Sequence, residues 1–357
     1  MQKYIFILGR DPELSRKELF AYCESRNLKY EILEGSDIAL ILSMNNINAE
    51  KMIEDLGGIQ KIALIVESFD NLYTGTKNKV RYAMSQYGEE EEDLKNELKA
   101  YFKKEGIKAT IKKSHHQEQD YLTPSEAQNV VEIIQYKGNV AKTLAVFNPK
   151  HHKFRDTKRP AQRPLHTISI RLAKILINLS GAKPGDTVLD PFCGIGTVVQ
   201  EAMVMGMDAI GADNDKFCIE ASKKNLEFIK AHYNCHSSYR LIETDARQLT
   251  RFITRVDCVA TEPYLGPFIK DYPSEQKAKG VARNLLPLYQ ETIQTLRKIT
   301  KKNIVFITPR FRTTARKEVP VNIAPLLEKN HIPFEGPFLY SSPTSKMLRE
   351  IWIIKQK

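Results

Sequence analysis

Several things are scarce in this 357-residue chain, and each scarcity excludes a class. No stretch approaches the ~18 consecutive apolar residues of a membrane span, so a membrane role is not expected. The apolar run at Tyr4–Leu8 is too short for a signal peptide and reads as a buried strand. There are only five cysteines, Cys23, Cys193, Cys218, Cys235 and Cys258. The count is odd and no pair forms C-x-x-C, so neither a disulfide framework nor a metal site is supported, and a reducing cytoplasm is expected. Low-complexity tracts and internal repeats are absent. Acidic residues are in deficit, 43 against 54 Lys and Arg, which leaves a formal net charge of +11. That excess favours a polyanionic partner but does not by itself establish one.

Length predicts two or three domains. Residues 1–70 read as βαββαβ, with strands at Tyr4–Leu8, Tyr30–Leu33, Ile38–Leu42 and Ile62–Glu67 and helices at Pro12–Arg26 and Ala49–Leu56. This is the order of a ferredoxin-like module. Residues 71–150 read as a second α+β unit. Its acidic run Glu89–Asp93 suits the positive end of a helix dipole better than a metal site. Residues 151–166 read as a basic linker. Between 151 and 174, Lys153, Arg155, Lys158, Arg159, Arg163, Arg171 and Lys174 face a single acid, Asp156, which suggests a phosphate-facing surface. From residue 167 to 357 strands alternate with helices, including a helix over Leu286–Thr300, which predicts a parallel sheet covered on both faces.

The chemistry-bearing motif is Asp190-Pro191-Phe192-Cys193-Gly194-Ile195-Gly196-Thr197. A strand ends at an acid, a glycine turn follows and a helix starts. Ligands of open α/β sheets bind at such strand ends, glycine permits close backbone approach, and a helix N-terminus offers free N–H groups to an anion. A dinucleotide site wants G-x-G-x-x-G/A, and Val199 stands where the third small residue belongs. Asp190 also suits a ligand carrying a positive group. S-adenosylmethionine has an amine, a sulfonium and a carboxylate. Asp213 ends the next strand, where a ribose diol would lie, and Asp245-Ala246 follow the third strand, near an adenine amino group. After the fourth strand, Glu262-Pro263-Tyr264 forms a rigid turn that can aim a carboxylate and a carbonyl at an attacking amine.

These residues resemble a known family. The 190–197 loop is similar to the cofactor loop of class I methyltransferases that modify guanine in RNA. Arg155-Asp156-Thr157-Lys158-Arg159-Pro160, the helix Leu172–Leu179 with Ser180-Gly181, and the opening Phe6–Ser15 resemble the archaeal-type THUMP-containing tRNA guanine N2-methyltransferases, which act at position 10. The resemblance implies a Rossmann-like methyltransferase domain preceded by α+β ferredoxin-like and THUMP domains, with tRNA as partner. It implies that Asp190, Phe192, Gly194, Gly196, Thr197, Asp213, Asp245 and Ala246 hold S-adenosylmethionine, and that Glu262, Pro263 and Tyr264 meet the base. The family's fourth motif is Asp/Asn-Pro-Pro-Tyr, whereas here it is Glu262-Pro263-Tyr264-Leu265-Gly266. That departure keeps two other readings open: a tRNA-binding protein on a degenerate methyltransferase fold, inactive alone or dependent on an activator subunit, and a DNA amino-methyltransferase.

Overall fold

The computed structural model describes residues 1–73, 75, 78–88, 93–112, 129–163, 168–233, 235–340 and 345–356. The acidic residues Glu89–Glu92 lie outside the described residues. By its contacts the chain divides into two units: Met1–Pro12 with Leu28–Pro149, and Glu13–Asn27 with Lys150–Lys357.

The first unit is built on one sheet. Its strands are β1 (Gln2–Leu8), β2 (Tyr30–Gly35), β3 (Ala39–Met44), β4 (Ile59–Ile65), β5 (Lys79–Tyr87), β6 (Lys108–Ile111), β7 (Val131–Tyr136) and β8 (Asn139–Val146). They lie in the order β2-β3-β1-β4-β8-β7-β5-β6. Central β1 is a run of buried apolar residues from Tyr4 to Leu8, while edge strand β2 is mostly exposed. The expected boundary at 70/71 falls inside this sheet, which continues through the antiparallel β4–β8 ladder. Across that seam Lys61 of β4 pairs with Glu132 of β7, both buried. Ser85 and Thr143 donate to the same carboxylate at 2.6 and 2.7 Å. A buried charge is tolerated when it is paired and hydrogen-bonded in this way.

In the second unit the sheet order is β11-β10-β9-β12-β13-β16-β15. The strands are β9 (Thr187–Asp190), β10 (Asp208–Asp213), β11 (Tyr239–Glu243), β12 (Cys258–Thr261), β13 (Ile304–Arg312), β15 (Phe334–Tyr340) and β16 (Met347–Ile354), with β14 (Glu318–Pro320) paired to β13. β9 to β13 run parallel, and β16 is antiparallel between β13 and β15. From β9 the chain builds outward through β10 and β11, then returns to place β12 on the other side. That reversal opens a crevice at the carboxyl ends of β9 and β12.

Helix α1 (Pro12–Ser25) contributes Leu14 to one core face, together with α5 (Ile170–Leu179) and α6 (Thr197–Val204). The other face is covered by α8 (Glu275–Ile299), which follows α7 (Lys216–His232). α8 begins eleven residues before the expected Leu286 and carries Pro287 inside it. A proline normally ends a helix. Here Ala278, Ala282 and Leu285, buried ahead of it, hold the extra turns against the core.

The stretch expected as a basic linker is also different. It contains helix α4 (Pro149–Thr157), after α2 (Ala49–Asp55) and α3 (Asp93–Lys104) of the first unit. Three of the cations expected to face phosphate between 151 and 174 are buried. Arg155 donates from Nε and Nη2 to the two oxygens of Glu201 at 2.9 Å each. Arg159 donates to Thr197 Oγ1 at 2.8 Å and to Asp156 at 3.0 Å. Lys174 Nζ lies 2.9 Å from His152 Nε2. Burial, then the Lys174 charge, holds that imidazole down to about 2, so the neutral ring accepts a hydrogen bond from the ammonium. Sequence charge alone cannot separate such internal cations from surface ones.

Breaking a buried pair costs more than deleting both members. Arg155→Met is expected to destabilise the second unit by roughly 3–5 kcal/mol, read as a lower urea midpoint. Adding Glu201→Leu should restore most of that loss.

Candidate active site

The cofactor loop takes its shape from two glycines. Gly194 and Gly196 have φ of +51° and +89°, in the left-handed region that favours glycine. A Cβ on Gly196 would stand 3.0 Å from Ser222 Oγ, while one on Gly194 would point into open space. From α7, Ser222 donates to the Gly194 carbonyl at 2.8 Å and Asn225 to the Ile195 carbonyl at 2.9 Å. The loop is thus clamped by buried polar groups some thirty residues away. Gly196 is the N-cap of α6 and supplies no side-chain cap, so N–H groups of the first turn stay available to an anion.

Three carboxyl groups converge beside this loop. Asp190 is fully buried at the end of β9. Its Oδ1 accepts from Thr261 Oγ1 at 2.7 Å and from the Phe192 amide at 3.1 Å. Burial pushes its pKa from 3.8 up to about 7. Those two hydrogen bonds pull the other way, and the charges of Asp213 and Glu262 add to the rise. Asp213, ending β10, accepts from the Gly194 amide at 2.9 Å and the Asp215 amide at 3.0 Å, one on each oxygen. Each oxygen keeps a lone pair for a ligand hydroxyl.

Glu262, just past β12, accepts from Nε of Arg349 on β16, 87 residues away. Tyr264 holds the following turn by its carbonyl, which accepts from Tyr289 at 2.8 Å.

A cleft of about 530 Å³ lies against Asp213, Glu262 and Tyr264. Phe192, Gly194, Asp213, Glu262, Pro263 and Tyr264 all line it, so six of the expected residues meet in one place. Asp190 and Thr197 line a smaller adjoining hollow that shares Phe192, Gly194 and Glu262. The remaining expected residues lie elsewhere. Gly196 shapes the loop without lining either space. Asp245 caps the turn that follows β11 and accepts from the Arg247 side chain at 2.9 and 2.7 Å. The Arg247 hydrogen bonds, against some desolvation, hold its carboxyl below the ordinary range. Ala246 is buried in the core beneath it. Thr197 accepts from Arg159, a contact that the motif does not suggest.

Sequence reading missed Thr261, Phe268 and Arg349. Thr261 had a local signal, a polar residue closing a strand directly before Glu262. Arg349 had none, because only the β13–β16 pairing brings it to the cleft. Tyr264 and Phe268 are 53% and 61% exposed, which leaves both rings free to stack on a flat ligand at the cleft mouth.

This donor set suits a ligand with a cationic end, a diol and a carboxylate: Asp190 for the cation, Asp213 for the diol, the start of α6 for the carboxylate. Three converging carboxyls oppose a pyrophosphate. The residues therefore fit S-adenosylmethionine. Among the described residues, no helix is long and apolar enough to cross a membrane.

A family described as RMKL-like, methyltransferase domain, matches residues 156–317, and one described as DNA methylase matches residues 20–224. A protein of Methanothermobacter thermautotrophicus named tRNA (guanine(10)-N2)-dimethyltransferase is 35% identical over 150 residues, 41% of each chain. One from Pyrococcus abyssi with the same name is 23% identical over 244 residues, 63% of this chain and 67% of that one. The chain thus spans about two fifths of the first of these relatives. The crystal structure of TrmN from Thermus thermophilus shares the fold, with a TM-score of 0.50 over 99% of both chains at 15% identity.

The raised Asp190 carboxyl has a consequence for stability. The folded state holds its proton to about pH 7, whereas the unfolded chain releases it near 3.8. Stability therefore falls as pH rises between those values. Asp190→Asn should gain on the wild type across that window, by roughly 4 kcal/mol over the full shift. Parallel pH profiles of the two proteins would contradict the assignment.

Proposed function

Because the chain belongs to the class I methyltransferases, we propose that it transfers a methyl group from S-adenosylmethionine to the exocyclic N2 of a guanosine in tRNA, at position 10. The observation that carries this reading is the meeting of Gly194 and Asp213 with Glu262, Pro263 and Tyr264 in one cleft, with Asp190 in the hollow that shares three of its walls. The names of the relatives from Methanothermobacter and Pyrococcus support the target.

When bound, S-adenosylmethionine supplies an electrophilic methyl group on a sulfonium sulfur. Asp190 would meet its positive end, Asp213 would hold the ribose hydroxyls and the start of α6 would hold the carboxylate. On the target side Glu262 accepts one N2–H and the Pro263 carbonyl the other. This aims the nitrogen lone pair at the methyl carbon, and in-line positioning is most of what such a site contributes. Glu262 or water would take the one proton that the target nitrogen sheds on accepting the methyl group, and the sulfonium donor would leave as a neutral thioether. The negative charge of Glu262 also stabilises the positive charge developing on nitrogen. Tyr264 and Phe268 stack on a base that has left its helix.

The reading extends to the rest of the chain. The first unit, with its ferredoxin-like and THUMP parts on one sheet, grips tRNA by shape and backbone contacts. A DNA amino group is the second reading, favoured by the DNA methylase match over residues 20–224.

Incubation with unmodified tRNA and methyl-labelled S-adenosylmethionine, with the label mapped by nuclease digestion and mass spectrometry, tests the proposal. Label at guanine 10 as N2-methyl- or N2-dimethylguanosine is expected. Label on DNA in competition, or none on tRNA, would overturn it. Asp213→Ala should weaken S-adenosylmethionine binding about tenfold or more, and unchanged affinity would remove Asp213 from the site.

A further inference from the structure

The Glu262–Arg349 pair places an acceptor and a donor side by side at the target end of the cleft, and both residues line it. Arg349 uses only Nε to hold Glu262. Among the described residues its two Nη groups make no hydrogen bond, and the side chain keeps 27% of its surface exposed. A guanidinium is always charged and carries its donors in a rigid planar fork. A counter-ion alone would have no need to line the cleft with donors to spare.

The Watson–Crick edge of guanine presents O6 as acceptor, then N1–H and N2–H2 as donors. We infer that Glu262 and Arg349 together read this edge, with Arg349 as a specificity-determining residue that donates to O6 while the Glu262 oxygens accept from N1–H and N2–H. The inference rests on the guanosine N2 reading above and deepens it. The rims agree, because Tyr264 and Phe268 can hold the flat faces of the base while the pair meets its edge. Adenine is mismatched at two points: its N1 lone pair would face the carboxylate and its N6–H would face the guanidinium. A site built to pair buried polar groups rejects a base that leaves them unpaired far more strongly than an apolar pocket rejects an isostere. On this view the Glu-Pro-Tyr-Leu-Gly departure is a working arrangement. The longer Glu262 side chain reaches Arg349 and is held in place by it.

The test uses full-length protein and tRNA carrying a single 6-thioguanosine at the methylated position. Sulfur replaces only O6 and is a weak acceptor, while N1–H and N2–H2 remain. Wild-type single-turnover methylation should slow about tenfold or more on the thio substrate, the range for a hydrogen bond to a charged group. In Arg349→Gln the rate on guanosine should fall by a similar factor, and the oxygen-to-sulfur ratio should collapse to about one. Arg349→Lys, which keeps the charge without the fork, should retain part of the ratio. A purely structural role would slow both substrates equally and leave the ratio intact, which would overturn the inference. So would a wild type that methylates both substrates at the same rate, a result that needs no variant to fold. A wild type that methylates no tRNA guanine fails the function proposed above instead, so the two failures are distinguishable.

Discussion

A carboxyl group sealed into the end of a central parallel strand loses its water and regains only part of that loss from two hydrogen bonds. Asp190 is in this position, with Thr261 and the Phe192 amide as its partners and two further carboxylates, Asp213 and Glu262, adding repulsion. Nothing in the core requires an acid there. The arrangement is explained by a positively charged ligand, whose arrival would offset the burial and the repulsion together. The rest of the second unit serves this point. The reversal of strand order at β9 opens the crevice, Gly194 and Gly196 let the loop turn tightly beside it, and Ser222 and Asn225 tie the loop down.

Charge is handled differently elsewhere in the chain. Lys61 meets Glu132, and Arg155 meets Glu201, each pair sealed from solvent and each carboxylate given further hydrogen bonds. These pairs knit strands and helices, so part of the cationic sequence that invites a nucleic-acid reading is internal wiring. The target end of the cleft combines the two uses. Glu262 is paired with Arg349, yet both remain on the cleft surface, where a base edge can reach them.

Much of this was legible from local pattern. The strand-acid-glycine-helix order of 187–197 predicted the loop, and places at or just past strand ends singled out all three converging carboxyls, Asp190, Asp213 and Glu262. What stayed hidden depends on pairing across distance. Asp245 has the right place in sequence, but Arg247, two residues on, takes its carboxylate. The basic stretch looked like an exposed linker because composition does not reveal Glu201 waiting beneath Arg155. Arg349 sits in a β16 segment whose partner in the site is fixed only when β13, β16 and β15 zip together. The early start of α8 was masked by Pro287, whose helix-breaking tendency is overcome by buried contacts.

The central claim is that the carboxyl edge of the second unit's sheet binds a cationic methyl donor against a buried, titrating acid. Equilibrium dialysis of labelled S-adenosylmethionine with the intact protein, across pH 6 to 8, tests it most directly. The account predicts saturable binding at one site that tightens as pH rises through about 7, as Asp190 gives up its proton. Absence of saturable binding, or an affinity that does not change across that range, would contradict it.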